Sequence, residues 1–311
     1  MLARLQKLIV LVLLTASIGS LCLFSRLGLA GWGGAIAFAI VFGYALFLGL
    51  EFVALSVVEV DPLLKPSPPQ LIRSWWGEVV SAPRVFLWRQ PFRSNSESNH
   101  LPNTPCRRRG VILVHGFVCN RGLWNPWMHT LRTRDVPFIA VNLEPLFGSI
   151  DRYASIIEEA VVRLQAVTGQ PVVIVGHSMG GLAVRAWLRE FDGDARVHRV
   201  VTVATPHHGT WLARFGRTLN GRQMRQHSEW LQQLAALEPL SRGTNFTCFY
   251  GHCDNIVFPV QSATLHGAMN IHIPGTAHVH MAFHPLVFDE VLRWLSTSPV
   301  IAKQPKERVK S

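Results

Sequence analysis

From Leu27 to Leu50 the chain carries no charged residue, and only Ser25 and Arg26 separate that stretch from a second uncharged run at 8–24. Backbone N–H and C=O groups in lipid find no water, so an apolar run of this length must satisfy them internally as a helix. About 20 apolar residues cross a hydrocarbon core of about 30 Å. The second run reaches that length, and the first lies at the short end. Two readings compete for 8–24. As a cleaved signal peptide, it would have Arg4 and Lys7 as its basic start and 8–14 as its apolar core. As the first arm of a helical hairpin, it would turn near Arg26 and Gly28. The hairpin is favoured because a second run of spanning length follows at once. Gly31, Gly33, Gly34, Gly43 and Gly49 would let two helices approach closely. Residues 1–60 are therefore expected to form two transmembrane helices. Arg4 and Lys7 put the N-terminus in the cytoplasm of a bacterial inner membrane by the positive-inside rule, and two crossings return the chain to that side. Lys65, Arg73, Arg84, Arg89 and Arg93 agree with a cytoplasmic catalytic domain.

The whole chain has 30 Lys+Arg against 19 Asp+Glu, a net charge of +11, but only 16% charged residues. A soluble domain ordinarily carries about 25%, and a disordered chain more. Residues 1–60 hold three basic and two acidic residues, so nearly all of the excess lies after the hairpin. With no phosphate loop, dinucleotide fingerprint or nucleic-acid module, the positive charge is read as a surface facing anionic lipid headgroups, with no nucleic-acid partner. Cys22, Cys106, Cys119, Cys248 and Cys253 are odd in number and contain no Cys-x-x-Cys pair. Neither a disulfide framework nor a structural zinc site is expected.

Asp61-Pro62 and the proline cluster at Pro66, Pro68 and Pro69 break the helical pattern and read as a stiff linker. Residues 61–109 are expected to be this linker and a membrane-proximal segment. Trp75, Trp76, Phe86 and Trp88 there suit either the headgroup level or a packed element under the next domain. Across 110–298 the pattern becomes short β-branched apolar runs separated by helical stretches. Strands are expected at 111–114, 138–143, 171–176, 197–205, 246–251 and 270–275. Helices are expected at 121–134, 151–167, 180–191 and 285–296. Wholly apolar strands alternating with helices predict an α/β fold with a mostly parallel sheet. Residues 299–311 read as a basic tail.

The chemistry centres on Gly176-His177-Ser178-Met179-Gly180, a Gly-x-Ser-x-Gly motif after a predicted strand and before a predicted helix. That context is the one in which the motif forms a sharp turn presenting a serine hydroxyl. The alternative is a tight turn with a helix-capping serine. With VILVHGF at 111–117 and VATPHHGT at 203–210, the chain resembles the α/β-hydrolase superfamily, specifically the bacterial triacylglycerol lipase and esterase branch. The resemblance covers about 110–296.

It implies a nucleophile–acid–base order along the chain, with Ser178 as nucleophile. Asp254, in Asp254-Asn255-Ile256-Val257-Phe258-Pro259 after a strand, fits the acid, and Gly275-Thr276-Ala277-His278 fits the base. His280 is held in reserve as base. His278 and His280 could also be a metal pair, but no further ligands stand at useful spacing, and no metal or cofactor is expected. The backbone N–H groups of Met179 and Phe117 are expected to form the oxyanion hole, with His115 in a structural role. The insertion at 211–245, with Trp230, Leu231, Leu234 and Leu237 on one helical face, is expected to be a cap or lid over an acyl pocket.

The resulting expectation is a membrane-anchored serine hydrolase acting on lipid-like carboxylic esters through an acyl-enzyme. An acyltransferase or thioesterase with the same triad, or a non-catalytic binding module, are the alternatives.

Overall fold

The computed structural model describes residues 1–296. The tail expected at 299–311 and the end of the domain at 298 lie outside the described residues. Two long helices, α1 (Leu2–Arg26) and α2 (Ala30–Val58), form an antiparallel hairpin. Gly28, at φ +72, ends α1: its N–H donates to the Ser25 carbonyl, and the Leu29 N–H reaches back to the Phe24 carbonyl at 2.8 Å. This pair of bonds satisfies carbonyls that the helix end would orphan, and it needs a left-handed residue that glycine adopts freely. Of the five glycines expected at the helix contact, Gly33 makes the close approach. A Cβ there would lie 2.9 Å from both Phe24 Cβ and the Ser20 carbonyl oxygen, whereas Gly31, Gly34 and Gly43 have nothing within 4 Å.

The stretch read as linker and membrane-proximal segment is largely helical. Ser67 starts α3 (Pro68–Pro83), and the Gln70 side chain accepts from the Ser67 N–H at 2.9 Å, one half of a capping box. A π-helical turn (Arg84–Arg89) and the short α4 (Gln90–Arg93) follow. Both expectations for the aromatics hold in part. Trp75 packs on α2, its indole N–H donating to the Ala45 carbonyl at 2.8 Å, while Trp76 and Trp88 are exposed.

The catalytic-domain elements are β1 (Val111–Val114), α5 (Asn125–Thr133), β2 (Phe138–Ala140), α6 (Tyr153–Thr168), β3 (Val172–His177), α7 (Met179–Glu190), β4 (Val197–Val203), α8 (Leu219–Gln223), α9 (Glu229–Ala236), β5 (Phe246–Tyr250), β6 (Met269–His272), α10 (His278–Met281) and α11 (Pro285–Ser296). The sheet order is β2-β1-β3-β4-β5-β6, all parallel. Successive side chains of a strand point to opposite faces. Accordingly Ile112, Val114 and Ile174 pack under α6 and α7, while Val111, Leu113 and Val173 pack under α5 and α11. Parallel strands covered on both faces must be apolar throughout, which is why the sequence shows runs rather than alternation. All five cysteines are free.

A third apolar cluster joins the hairpin to this domain: Phe52 and Leu55 of α2 are buried against Phe258 and Ala277, with Trp211 and Leu212 beside them. Burying each of those α2 side chains contributes about 1.5–3 kcal/mol. Hairpin geometry gives a first test. Gly33→Leu should destabilise the full chain in detergent by about 1–3 kcal/mol through overpacking, whereas Gly34→Leu should not. Equal thermal unfolding midpoints for the two variants would refute the close contact.

Candidate active site

Ser178 sits between β3 and α7 at φ 54, ψ −129, a left-handed angle that serine rarely adopts. The flanking glycines make the turn possible. A Cβ on Gly176 would come within 2.7 Å of the Gly181 nitrogen, and one on Gly180 within 2.6 Å of the Val114 and His115 carbonyl oxygens. Gly116, in the loop after β1, lies directly against the serine, where a Cβ would meet Ser178 Cβ at 2.8 Å. The Ser178 N–H donates to Val203, and the Thr205 hydroxyl donates to the Ser178 carbonyl at 2.9 Å. Strain at Ser178 is thereby held from β4 as well as β3.

Asp254, after β5, and His278, at the start of α10 after β6, meet behind this turn. His278 Nδ1 donates to both Asp254 carboxylate oxygens at 3.0 Å. Asp254 Oδ1 also accepts the backbone N–H groups of Ile256 and Val257 at 2.9 Å, which fixes the carboxylate. Ser178, His278, Asn255, Phe117 and Val118 line one cavity of about 580 Å3. Met179 and Phe117 flank Ser178 from the helix and from the β1 loop, and neither N–H has an acceptor among the described residues.

His280 does not join the group. It packs against Gly77 of α3 and does not line the cavity. His115 is tied into the loops: its Nδ1 donates to the Gly116 carbonyl, and its Nε2 accepts the Leu143 N–H at 3.0 Å. Burial pushes it down to about 4, so it is a neutral strut.

The cavity differs from the expected one in its walls. None of residues 211–245 lines it. That insertion folds down on α7 instead, with Leu231 and Leu234 buried and the buried Arg185 guanidinium bonded to Glu238 and to the His207 carbonyl. Leu237, expected on the same apolar face, is exposed. A cationic side chain with no exposure needs a fixed anion, and Glu238 supplies it at the cost of holding the insertion against the body. The walls come from before the domain: Tyr44, Phe47, Leu48 and Glu51 of α2, Glu78 and Ala82 of α3, and Phe86 and Leu87 of the π turn.

Comparison with known proteins follows this geometry. Residues 111–291 match the model of an alpha/beta hydrolase family. The chain belongs to that family. Among solved structures, the mature form of the Bacillus licheniformis lipase BlEst2 superposes with a TM-score of 0.55 at 16% identity, covering 63% of this chain and 96% of that one. Lipase B of Aspergillus fumigatus gives a TM-score of 0.50 at 19% identity, covering 61% of this chain and 54% of that one. Comparison with curated proteins gave no match.

For an alpha/beta hydrolase, the support behind the histidine is the feature that sequence reading missed. Glu78, 1% exposed, accepts the N–H groups of Val279 and His280 at 3.0 Å each. Asn255 accepts the His278 N–H at 3.2 Å and donates to Glu51 at 2.6 Å. Burial raises the Glu78 carboxyl to about 7, against the opposing pull of the two N–H groups. At His278, burial disfavours the cation, but Asp254, Glu78 and Glu51 outweigh it, and the net direction is upward. The spacing Ser74, Glu78, Ala82 marks one buried helical face, and a glutamate inside it was the available signal. Replacing Glu78 by Ala should leave two buried N–H groups without acceptors, at about 1–3 kcal/mol each. Hydrogen exchange at Val279 and His280 should then speed up by roughly tenfold or more; unchanged exchange would show that Glu78 does not hold this loop.

Proposed function

We propose that the chain is a membrane-anchored serine hydrolase cleaving carboxylic esters with lipid-like acyl groups. The observation that carries this reading is the bidentate Asp254–His278 pair beside a strained serine at the mouth of an apolar cavity. Asp254 holds Nδ1–H, which leaves Nε2 as the proton acceptor. In the proposed cycle, His278 takes the Ser178 proton as Oγ bonds to the ester carbonyl carbon. The oxyanion is held by the Met179 and Phe117 N–H groups. Collapse breaks the ester C–O bond, His278 gives its proton to the departing alcohol, and the acyl group stays on Ser178. Water then attacks with His278 again as base, releasing the acid and restoring the hydroxyl.

Membrane anchoring is supported by the exposure of the apolar helices. Only 6% of the apolar window of α1 and 11% of that of α2 are buried, unlike the core helices of a soluble protein. A cleaved leader would not pack on the mature domain, yet Leu2 and Gln6 are buried there and Gln6 donates to Gln90 at 2.7 Å. Both ends of the hairpin reach the same domain, so both lie on one side of the bilayer, the cytoplasmic side by the positive-inside rule. Arg73, Arg84 and Arg93 follow the hairpin closely, where anionic headgroups supply the counter-charge.

Ser178→Ala should lower hydrolysis of a short acyl ester by at least about a thousandfold and abolish labelling by a fluorophosphonate. Full activity in that variant would overturn the reading, and an unlabelled wild type would leave a binding module. The pH profile gives a second test. Only neutral His278 accepts a proton, and its surroundings favour the cation, so the acidic limb of kcat/KM should lie above the ordinary 6.5. The anions facing His278 are Asp254, Glu78 and Glu51, and its other titratable neighbour, His177, is held down to about 3. Glu78→Gln removes one anion and should move the limb to lower pH; a limb that moves upward would contradict the assignment.

A further inference from the structure

Tyr44, Phe47, Leu48 and Glu51 fall at the i, i+3, i+4, i+7 spacing of one helical face, and all four line the cavity at Ser178. Opposite them stand Ala82 and Pro83 at the end of α3 and Phe86 and Leu87 of the π turn. π turns are rare, and they recur at functional sites because the extra residue re-aims side chains. Here the turn carries Phe86 and Leu87 into the wall. The polar groups of the cavity are few and lie near the triad: Ser178, His278, Asn255, Glu51 and Glu78, with the Tyr44 hydroxyl turned away to the Val79 carbonyl at 2.9 Å.

Phe47 and Leu87 both line the cavity and are exposed on the outside, at 63% and 39%. On α2, Phe47 continues an exposed apolar surface made by Phe38, Phe42, Leu46 and Leu50. Phe47 lies three residues before Leu50, the end of the uncharged run. At 1.5 Å rise per residue the mouth is therefore about 5 Å inside the hydrocarbon boundary. The charged and hydrogen-bonding groups lie at the headgroup end. A membrane lipid has the same polarity, with its ester carbonyl at the headgroup level and its chain in hydrocarbon.

We propose that the space between α2 and residues 82–87 binds the acyl chain of an ester dissolved in the bilayer, and that the chain enters sideways from the leaflet around α2. The hairpin is then a wall of the substrate site as well as an anchor, in the place where a cap was expected. This rests on the serine-hydrolase reading above. A volume of about 580 Å3 falls within the roughly 300–1,000 Å3 usual for ligand pockets. An apolar wall discriminates by chain length, since each buried CH2 contributes about 0.8 kcal/mol.

The test uses the full chain in vesicles of phosphatidylethanolamine and phosphatidylglycerol, with acetyl and palmitoyl p-nitrophenyl esters. Leu48→Trp and Ala82→Phe fill the proposed space, and Leu46→Trp places the same bulk on the face of α2 that does not line it. Fluorophosphonate labelling reports whether each variant has a folded site, and either filled variant that labels decides. The palmitoyl-to-acetyl ratio of kcat/KM should fall by roughly tenfold or more in the filled variants, and not in Leu46→Trp. A ratio unchanged in a labelled filled variant would overturn the chain site while leaving the serine hydrolase intact. A wild type that neither labels nor cleaves either ester would sink both. Palmitoyl ester in the protein's own vesicles should also be cleaved faster than the same ester in separate protein-free vesicles; equal initial rates would refute sideways entry.

Discussion

Three carboxylates reach out of the N-terminal helices and their connection into loops at the carboxyl edge of the sheet. Glu51 accepts from Asn255, Glu59 from the Val260 N–H at 2.9 Å, and Glu78 from the Val279 and His280 N–H groups. A buried anion is tolerated only where hydrogen bonds replace its water. These acceptors therefore fix where α2 and α3 sit, and in return they fix the loops that carry Asp254 and His278. With Phe52 and Leu55 seated on Phe258 and Ala277, the helical hairpin and the hydrolase domain become one packed unit. The cavity at Ser178 exists because of that docking, since neither part alone encloses it.

The same edge of the sheet collects the rest of the constellation. In a parallel sheet every strand ends on the same side, so the loops after β1, β3, β5 and β6 bring Phe117, Ser178, Asp254 and His278 together. The close fit between them is set by the absence of side chains. Gly116 lies under Ser178, Gly176 against Gly181, and Gly180 against the end of β1. A side chain at any of these would push the serine turn away from its neighbours, and the positive φ at Ser178 could not be held.

Much of this was legible in the residues. The apolar runs at 111–114, 171–176 and 246–251 gave central strands because a sheet buried on both faces tolerates little else. The ends were less legible: 138–143 shortens to Phe138–Ala140 and 270–275 to Met269–His272, because loops at the carboxyl edge leave the ladder to build the site. His278 and His280 are two residues apart in similar surroundings, and which one faces Asp254 is a matter of the turn into α10. The apolar face at Trp230, Leu231 and Leu234 was visible, but its partner was not. It meets α7 because Arg185, buried there, needs Glu238.

By itself, the sequence determined the helical hairpin, the parallel α/β sheet and the position of a serine at a strand–helix turn, because each follows from local periodicity, turn chemistry and backbone hydrogen bonding. Only the tertiary structure decided that α2 and α3 wall the cavity, that Glu51 and Glu78 stand behind the histidine, and that the insertion at 211–245 lies elsewhere. Those contacts join residues some 200 positions apart, and periodicity reports which face of a helix is apolar without naming what will cover it.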